Sequence, residues 1–293
     1  MTSPKSFSPM DFDSLEKRLE AAGTLFKGVV PPPEGKMLST ERFLAEELPV
    51  SLIYNGAFEH GTMMLTPLDL EDFALGISLS ERIIKKPEQL QNVAVSCAEK
   101  GITLNIQIDT EPFRRLLRGS SRASVAGSAC GLCGSKDETL FDASLPQIEF
   151  NLKDTGVYSL NVIEKVVESM RDSQILNQKI GMLHAAIWAD KKGNILYVRE
   201  DIGRHNALDK LIGALKYAGI AMEEGFCCLT SRCSYEMTQK AVLAGMHCLV
   251  AISAPSAYAV RLARQAGLTL LAPAQGKKKM IFSVPERLSS EEN

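Results

Sequence analysis

Apolar and polar residues alternate from Leu48 to Tyr54, Asn55-Gly56 supplies a hairpin turn, and Thr62 to Thr66 reads as the returning strand. Behind Pro67 the pattern changes period. Leu68, Phe73, Leu75 and Leu79 recur as one helical face, Asp69, Glu71 and Asp72 favour its positive end, and the pattern stops before Lys85-Lys86-Pro87. Val93–Ser96 and Ile102–Ile108 alternate again. The order β-β-α-β-β predicts one helix laid on a small sheet, an α+β domain over 36–125. Upstream, residues 1–35 read as a flexible tail: one or two amphipathic turns between Asp11 and Leu25, then Pro31-Pro32-Pro33 as a spacer.

The second half has a different rhythm. Tyr158 to Gln174 is helical through Leu160, Ile163, Val166, Val167 and Met170. Met182–Trp188 and Ile195–Val198 flank a Gly193-Asn194 turn and predict a hairpin. A unit of strand, polar mouth and helix then recurs: Ile195–Val198 before the helix to Leu215, Phe226–Thr230 before Tyr235–Ala244, and Cys248–Ile252 before the helix to Gln265. Leu268–Leu271 adds a last strand, so residues 156–285 read as an α/β layered domain and 286–293 as a frayed tail.

Composition adds bounds. The chain has 293 residues, 45% hydrophobic and 23% charged, with a formal net charge of −2. That length suits two domains, and the charge balance points to neither nucleic acid nor an anionic membrane. Seven cysteines argue against a disulfide framework. No signal peptide is visible, and no apolar stretch approaches the ~20 residues of a membrane helix, so the cytoplasm is the expected compartment.

The chemistry centres on Ser128-Ala129-Cys130-Gly131-Leu132-Cys133-Gly134-Ser135, in an exposed loop and linker expected over 126–155. Small residues around the two thiols leave the sulfurs uncovered. Four readings apply: half a zinc site, a dithiol redox couple, a sulfur carrier, or incidental cysteines. Structural zinc commonly takes two such pairs, and neither Cys97, Cys227, Cys228, Cys233 and Cys248 nor the four histidines repeat the spacing. A thioredoxin-type site opens a helix, and Gly-Leu-Cys-Gly-Ser is a poor helix start. Exposed paired thiols without a use are a liability. The balance favours sulfur transfer: one thiolate takes the outer sulfur of a donor persulfide and the second assists or releases it. Arg114, Arg115, Arg118 and Arg122 upstream read either as a solvated face or as an anion site beside the thiols.

Polar residues also crowd the strand-end mouths at Asp201–Asn206, Ser231–Ser234 and Ser253–Ser256, where ligands collect in layered α/β sheets. Asn206 is a candidate cap for the helix to Leu215, and Arg204 and His205 would reinforce an anion at that helix start. The bland reading is a capped helix with surface charge.

Three signatures together resemble the formate dehydrogenase accessory FdhD family of sulfur carriers. They are Ser-x-Cys-Gly-Leu-Cys-Gly at 128–134, Glu-Asp-Ile-Gly-Arg-His-Asn-Ala-x-Asp-Lys at 200–210, and Ser-Arg-x-Ser-x-Glu-Met…Lys-Ala at 231–241 followed by Ala-Pro-Ser at 254–256. Met64-x-Thr66-Pro67…Leu70-Glu71-Asp72 is a fourth. The resemblance implies a cytidine-deaminase-like fold for the second domain and a homodimer. It implies a sulfurtransferase acting as persulfide carrier rather than a conventional turnover enzyme. Sulfur would come from a cysteine desulfurase and go to the molybdenum (or tungsten) bis-guanine-dinucleotide cofactor of a formate dehydrogenase. Cys130 would bear the persulfide with Cys133 as its partner. Guanine-nucleotide (GDP-like) binding, transient rather than permanent, would fall on His184, Arg204, His205, Asn206, Ser231, Arg232, Ser234, Pro273, Gln275 and Lys278, with no resident metal.

The sequence departs from the family in places. Ile180-Gly181-Met182-Leu183 stands where Thr-Gly-Gly often precedes the motif histidine, and Thr230-Ser231-Arg232 stands for Ser-Gly-Arg. Pro273 and Gln275 replace an aromatic and an arginine, which removes a stacking surface and a bidentate donor, while Lys277 and Lys278 supply charge nearby. Deamination is excluded by the residues: His184-Ala185-Ala186 lacks the glutamate, and the cysteine pair precedes the histidine without proline. Two competing functions remain, a cofactor-binding chaperone that moves no sulfur and a zinc module.

Overall fold

Helix α1 (Phe12–Ala22) runs into strand β1 (Gly23–Val30), which pairs antiparallel with β2 (Leu38–Ala45). This corrects the expected loose tail of 1–35 over its described residues, 12–30. The reason is contact with distant sequence: Leu19 and Ala22 meet Leu176, Ile180 and Leu183, and the Arg18 guanidinium forks onto Asp69 at 2.9 and 2.8 Å. The computed structural model describes residues 12–30, 38–98, 101–120, 145–151, 153, 157–274 and 279–290.

The predicted hairpin forms as β3 (Leu48–Tyr54) and β4 (Phe58–Leu65), followed by α2 (Leu70–Ser80), β5 (Leu90–Ala98) and β6 (Gly101–Ile108). The strands lie in the order β4-β3-β6-β5, with β3 and β6 parallel and the outer pairs antiparallel. Alternate residues Val50, Leu52, Tyr54, Leu104 and Ile106 face inward and meet Phe73, Ala74 and Ile77 of α2. Cys97, expected to be a buried hydrophobe, is exposed on edge strand β5. The arginine run begins on a further helix, α3 (Thr110–Ser120), whose Phe113 and Leu116 pack on the same core. Arg115 bonds the Ile83 carbonyl at 2.9 Å and pairs with Glu111, so it is part of the fold rather than an anion site.

The second block contains β7 (Tyr158–Ser159), α4 (Leu160–Ser173), α5 (Ile175–Ile180), β8 (His184–Asp190), β9 (Ile195–Asp201) and α6 (Arg204–Tyr217). It continues with β10 (Gly225–Leu229), α7 (Tyr235–Ala244), β11 (Cys248–Ala251), α8 (Ala257–Ala266), β12 (Thr269–Leu271), β13 (Ile281–Ser283) and β14 (Leu288–Ser289). Six strands form one sheet in the order β13-β12-β11-β10-β8-β9. β10, β11 and β12 are parallel, whereas β8 runs antiparallel to both β9 and β10. The pleat divides the sheet residues between two cores. Ala186, Trp188, Cys227 and Leu249 meet α6, α7 and α8; Ala185, Ile187, Cys228 and Val250 meet α4. The buried cysteines 227, 228 and 248 are core residues, and burial pushes all three thiols up. No helix among the described residues is long and apolar enough to cross a membrane.

The expected frayed end at 286–293 is also corrected over its described residues, 286–290. β14 pairs with β7, and Arg287 is fully buried, with its guanidinium donating to the carbonyls of Gly267 and Glu149 (3.1 Å to the latter). A charged side chain in a polar C-terminus reads as surface; here it is the donor that satisfies loop carbonyls.

The two blocks meet along α2 and α6. A Cβ on Gly76 would sit 1.8 Å from the Asp209 carbonyl oxygen, and one on Gly213 1.9 Å from that of Asp72. The helices therefore cross backbone to backbone, which only glycine permits at both points. Leu79 of α2 contributes to the cores of both blocks.

Candidate anion site at the strand ends

The carboxyl ends of β9, β10, β11 and β12 and the amino end of β8 lie along one edge of the large sheet. His184 opens β8 opposite Asp201, which closes β9. The Thr230 hydroxyl accepts the Ala185 N–H at 2.7 Å and ties the next mouth to β8. Cys233 bridges to Pro255, with the Ser256 N–H donating to the Cys233 carbonyl at 3.0 Å. The Ala274 N–H reaches the Ala251 carbonyl at 2.9 Å, which brings Pro273 to the same edge. Thus His184, Arg204, His205, Asn206, Ser231, Arg232, Ser234 and Pro273 share this edge. Gln275 and Lys278, and with them Cys130 and Cys133, lie outside the described residues.

Helices α6, α7 and α8 all begin here, so their free N–H groups and positive dipole ends point to one rim. His184 records the field. Burial lowers its pKa first, the Arg204 cation lowers it further, and His205 and Arg232 add to the effect against the opposing Asp201 carboxylate. The Arg204 Nε is buried with no hydrogen-bond partner among the described residues. His205 Nε2 lies 2.8 Å from Glu236 Oε2, without the alignment of a hydrogen bond. Two guanidinium groups, neutral histidine and helix starts together suit an anion such as a phosphate ester. No group of three or more potential metal ligands occurs among the described residues.

Several motif residues have other duties. Asn206 is not the cap of α6; Gly203 occupies that place, and the Asn206 amide donates to the Met64 carbonyl and to Asp201, both at 3.0 Å. The reason is the approach of the first block, which brings the Met64 carbonyl within reach of the amide. Ser234 caps α7 by accepting the Met237 N–H at 3.4 Å, and the Ser231 hydroxyl donates to the Arg232 carbonyl. Glu200 accepts the Leu176 and Asn177 N–H groups at 3.0 and 2.9 Å. Asp201 is wholly buried against Lys210 at 2.6 Å, and Asp209 accepts from Lys240 at 2.7 Å and from Ser80 at 2.6 Å. Burial raises the Asp209 pKa against the opposing pull of Lys240. Sequence reasoning missed Thr66, Ser80, Glu236 and Lys240 as parts of this neighbourhood. All but Ser80 sit inside the quoted signatures, so the signal was present, but pattern alone does not say which motif residues face one another.

The profile of the FdhD/NarQ family matches residues 45–289. The chain belongs to the FdhD/NarQ family. A relative from Xanthomonas oryzae pv. oryzae strain MAFF 311018, named Sulfur carrier protein FdhD, is 40% identical over 269 residues, covering 92% of this chain and 93% of that one. A Cupriavidus necator protein of the same name is 40% identical over 259 residues, 88% of this chain and 87% of its own. In fold, the chain is similar to a crystal structure of a candidate formate dehydrogenase accessory protein from Desulfotalea psychrophila. The TM-score is 0.70 at 20% identity, covering 92% of this chain and 100% of that one. FdhD/NarQ membership thus spans both blocks, the crossing of α2 on α6 and the cationic rim.

Residues 145–151, downstream of the cysteines, lie at the opposite edge of the large sheet. The Ile148 N–H bonds the Ala266 carbonyl at 2.8 Å, and Arg287 holds Glu149. Upstream, α3 belongs to the first block. The described residues on either side of the cysteine segment therefore belong to different blocks.

Proposed function

We propose that this chain is a persulfide sulfur carrier serving formate dehydrogenase. The observation that carries the reading is 40% identity over nine-tenths of the chain to a protein named as a sulfur carrier. The Cys130-Gly131-Leu132-Cys133 segment supports it chemically. The Cys130 thiolate attacks the outer sulfur of a cysteine desulfurase persulfide; the donor S–S bond breaks, the donor thiolate leaves, and Cys130 holds the sulfur. On delivery, the Cys133 thiolate attacks the Cys130 sulfur. A Cys130–Cys133 disulfide forms, the outer sulfur departs as sulfide with the electron pair of the broken bond, and a dithiol reductant restores the thiols.

The acceptor in this reading is the molybdenum or tungsten bis-guanine-dinucleotide cofactor, bound transiently. Arg204, Arg232 and His184 would take its phosphates at the rim, with His205 beside them. Pro273 offers no stacking face, so a guanine base there relies on other groups. A homodimer, a desulfurase donor, a formate dehydrogenase client and a cytoplasmic location complete the reading. The test is restoration of formate dehydrogenase activity in cells lacking the chain. The wild type restores it and Cys130→Ala does not; full restoration by Cys130→Ala ends the carrier reading. A variant at Arg204 that fails while Cys130→Ala succeeds would instead favour a cofactor-binding chaperone.

A further inference from the structure

We infer that Thr66, a residue of the first block, is the positioning residue of the cationic rim on the second, an inference that rests on reading that rim as an anion site. Thr66 is completely buried and uses every polar group it has on the opposite block. Its N–H donates to Asp201 Oδ2 at 3.0 Å. Its hydroxyl oxygen accepts the Ile202 N–H at 3.2 Å. Its carbonyl accepts from Lys210 Nζ at 2.9 Å. The neighbouring Met64 carbonyl accepts from the Asn206 amide at 3.0 Å.

These bonds bracket the residues that carry the charge. Asp201 Oδ1 accepts the Gly203 N–H at 2.8 Å, so the backbone from 201 to 203 is held from within by the Asp201 side chain and from outside by Thr66. Arg204 and His205 follow at once as the first turn of α6. Gly203 is close to the Asn206 amide, where an added Cβ would lie 2.6 Å from its nitrogen, so this turn has little room to adjust. The direction in which Arg204 leaves the strand is thus fixed by a residue more than a hundred positions earlier. A threonine suits the place because it offers a small apolar body with a hydroxyl acceptor; a valine of the same shape leaves the part-buried Ile202 N–H without that acceptor. The first block is in this way part of the site without touching a ligand.

The test compares the wild-type full chain with Thr66→Val and Thr66→Ser by amide hydrogen exchange and by equilibrium titration with GDP as the phosphate probe. In Thr66→Val, exchange over 202–205 should accelerate about tenfold or more while β11 amides keep their wild-type rates. GDP affinity should weaken by roughly tenfold, the scale expected for a lost part-buried hydrogen bond. Thr66→Ser, which keeps the hydroxyl, should restore both. Wild-type exchange and affinity in Thr66→Val would overturn the inference, as would a uniform rise in exchange that includes β11, because that marks a purely structural role. Local exchange that rises with GDP affinity unchanged also overturns it. A wild-type chain that binds no GDP removes the anion-site reading instead, and the exchange arm still decides whether Thr66 fixes this backbone.

Discussion

Replacing Lys210 by methionine isolates the charge that balances Asp201. Both side chains are fully buried, and the ammonium sits 2.6 Å from the carboxylate. Asp201 would keep three donors: the Thr66 N–H at 3.0 Å, the Gly203 N–H at 2.8 Å and the Asn206 amide at 3.0 Å. The Thr66 carbonyl would keep the Leu68 N–H at 2.7 Å. The loss is therefore chiefly that of the counter-charge, and stranding one member of a buried pair costs about 3–5 kcal/mol. Urea denaturation followed by far-ultraviolet circular dichroism should show a loss of that size in Lys210→Met. Removing both charges is less costly than removing one. The Asp201→Asn, Lys210→Met double variant should accordingly be more stable than Lys210→Met alone, with a coupling of at least about 1 kcal/mol in the double-mutant cycle. A cost below about 1 kcal/mol for Lys210→Met, or simple additivity of the two changes, would refute the reasoning.

Other perturbations test other parts of the fold. Gly213→Ala forces α2 and α6 apart at the Asp72 carbonyl and should cost about 2–3 kcal/mol by the same denaturation assay, whereas Gly219→Ala, at an open turn, should cost less despite its positive φ. Arg287→Met strips donors from the Gly267 and Glu149 carbonyls, with a loss of roughly 3 kcal/mol and faster proteolysis after residue 145. Burial alone would raise the Asp69 pKa, but the Arg18 hydrogen bonds and charge, with Arg199 and Lys210, outweigh it and hold the carboxyl below its ordinary value. Its contribution to stability is then present above the ordinary carboxylate range and lost as pH falls through the depressed value. Proteolytic release of α1 should therefore increase below the ordinary range, and Arg18→Ala should release α1 even at neutral pH.

The strands and helices of both blocks were legible because their apolar residues keep period. Val50, Leu52 and Tyr54 all point inward from β3, and Ile163, Val166, Val167 and Met170 all face the sheet from α4. What failed was structure held by single long-range polar contacts. α1 docks through Arg18 on Asp69, and the C-terminal strand is held by Arg287; nothing local marks either pairing. β2 reads Leu-Ser-Thr-Glu-Arg-Phe-Leu-Ala, without the alternation that announces a strand. The polar stretch 200–210 lies at the strand ends of the large sheet, where the sequence pattern placed it. Composition did not separate Arg204, whose Nε has no hydrogen-bond partner among the described residues, from Asn206 and Lys210, whose donors hold the first block. That division depends on which carbonyls the α2–α6 crossing brings near.

The measurement that bears most directly on the carrier reading is intact mass spectrometry after incubation with a cysteine desulfurase and cysteine. The wild-type chain should gain the mass of one sulfur atom, a dithiol reductant should remove it, and Cys130→Ala should gain nothing. An unchanged mass alongside a desulfurase of verified activity, or an equal gain in Cys130→Ala, would contradict the account.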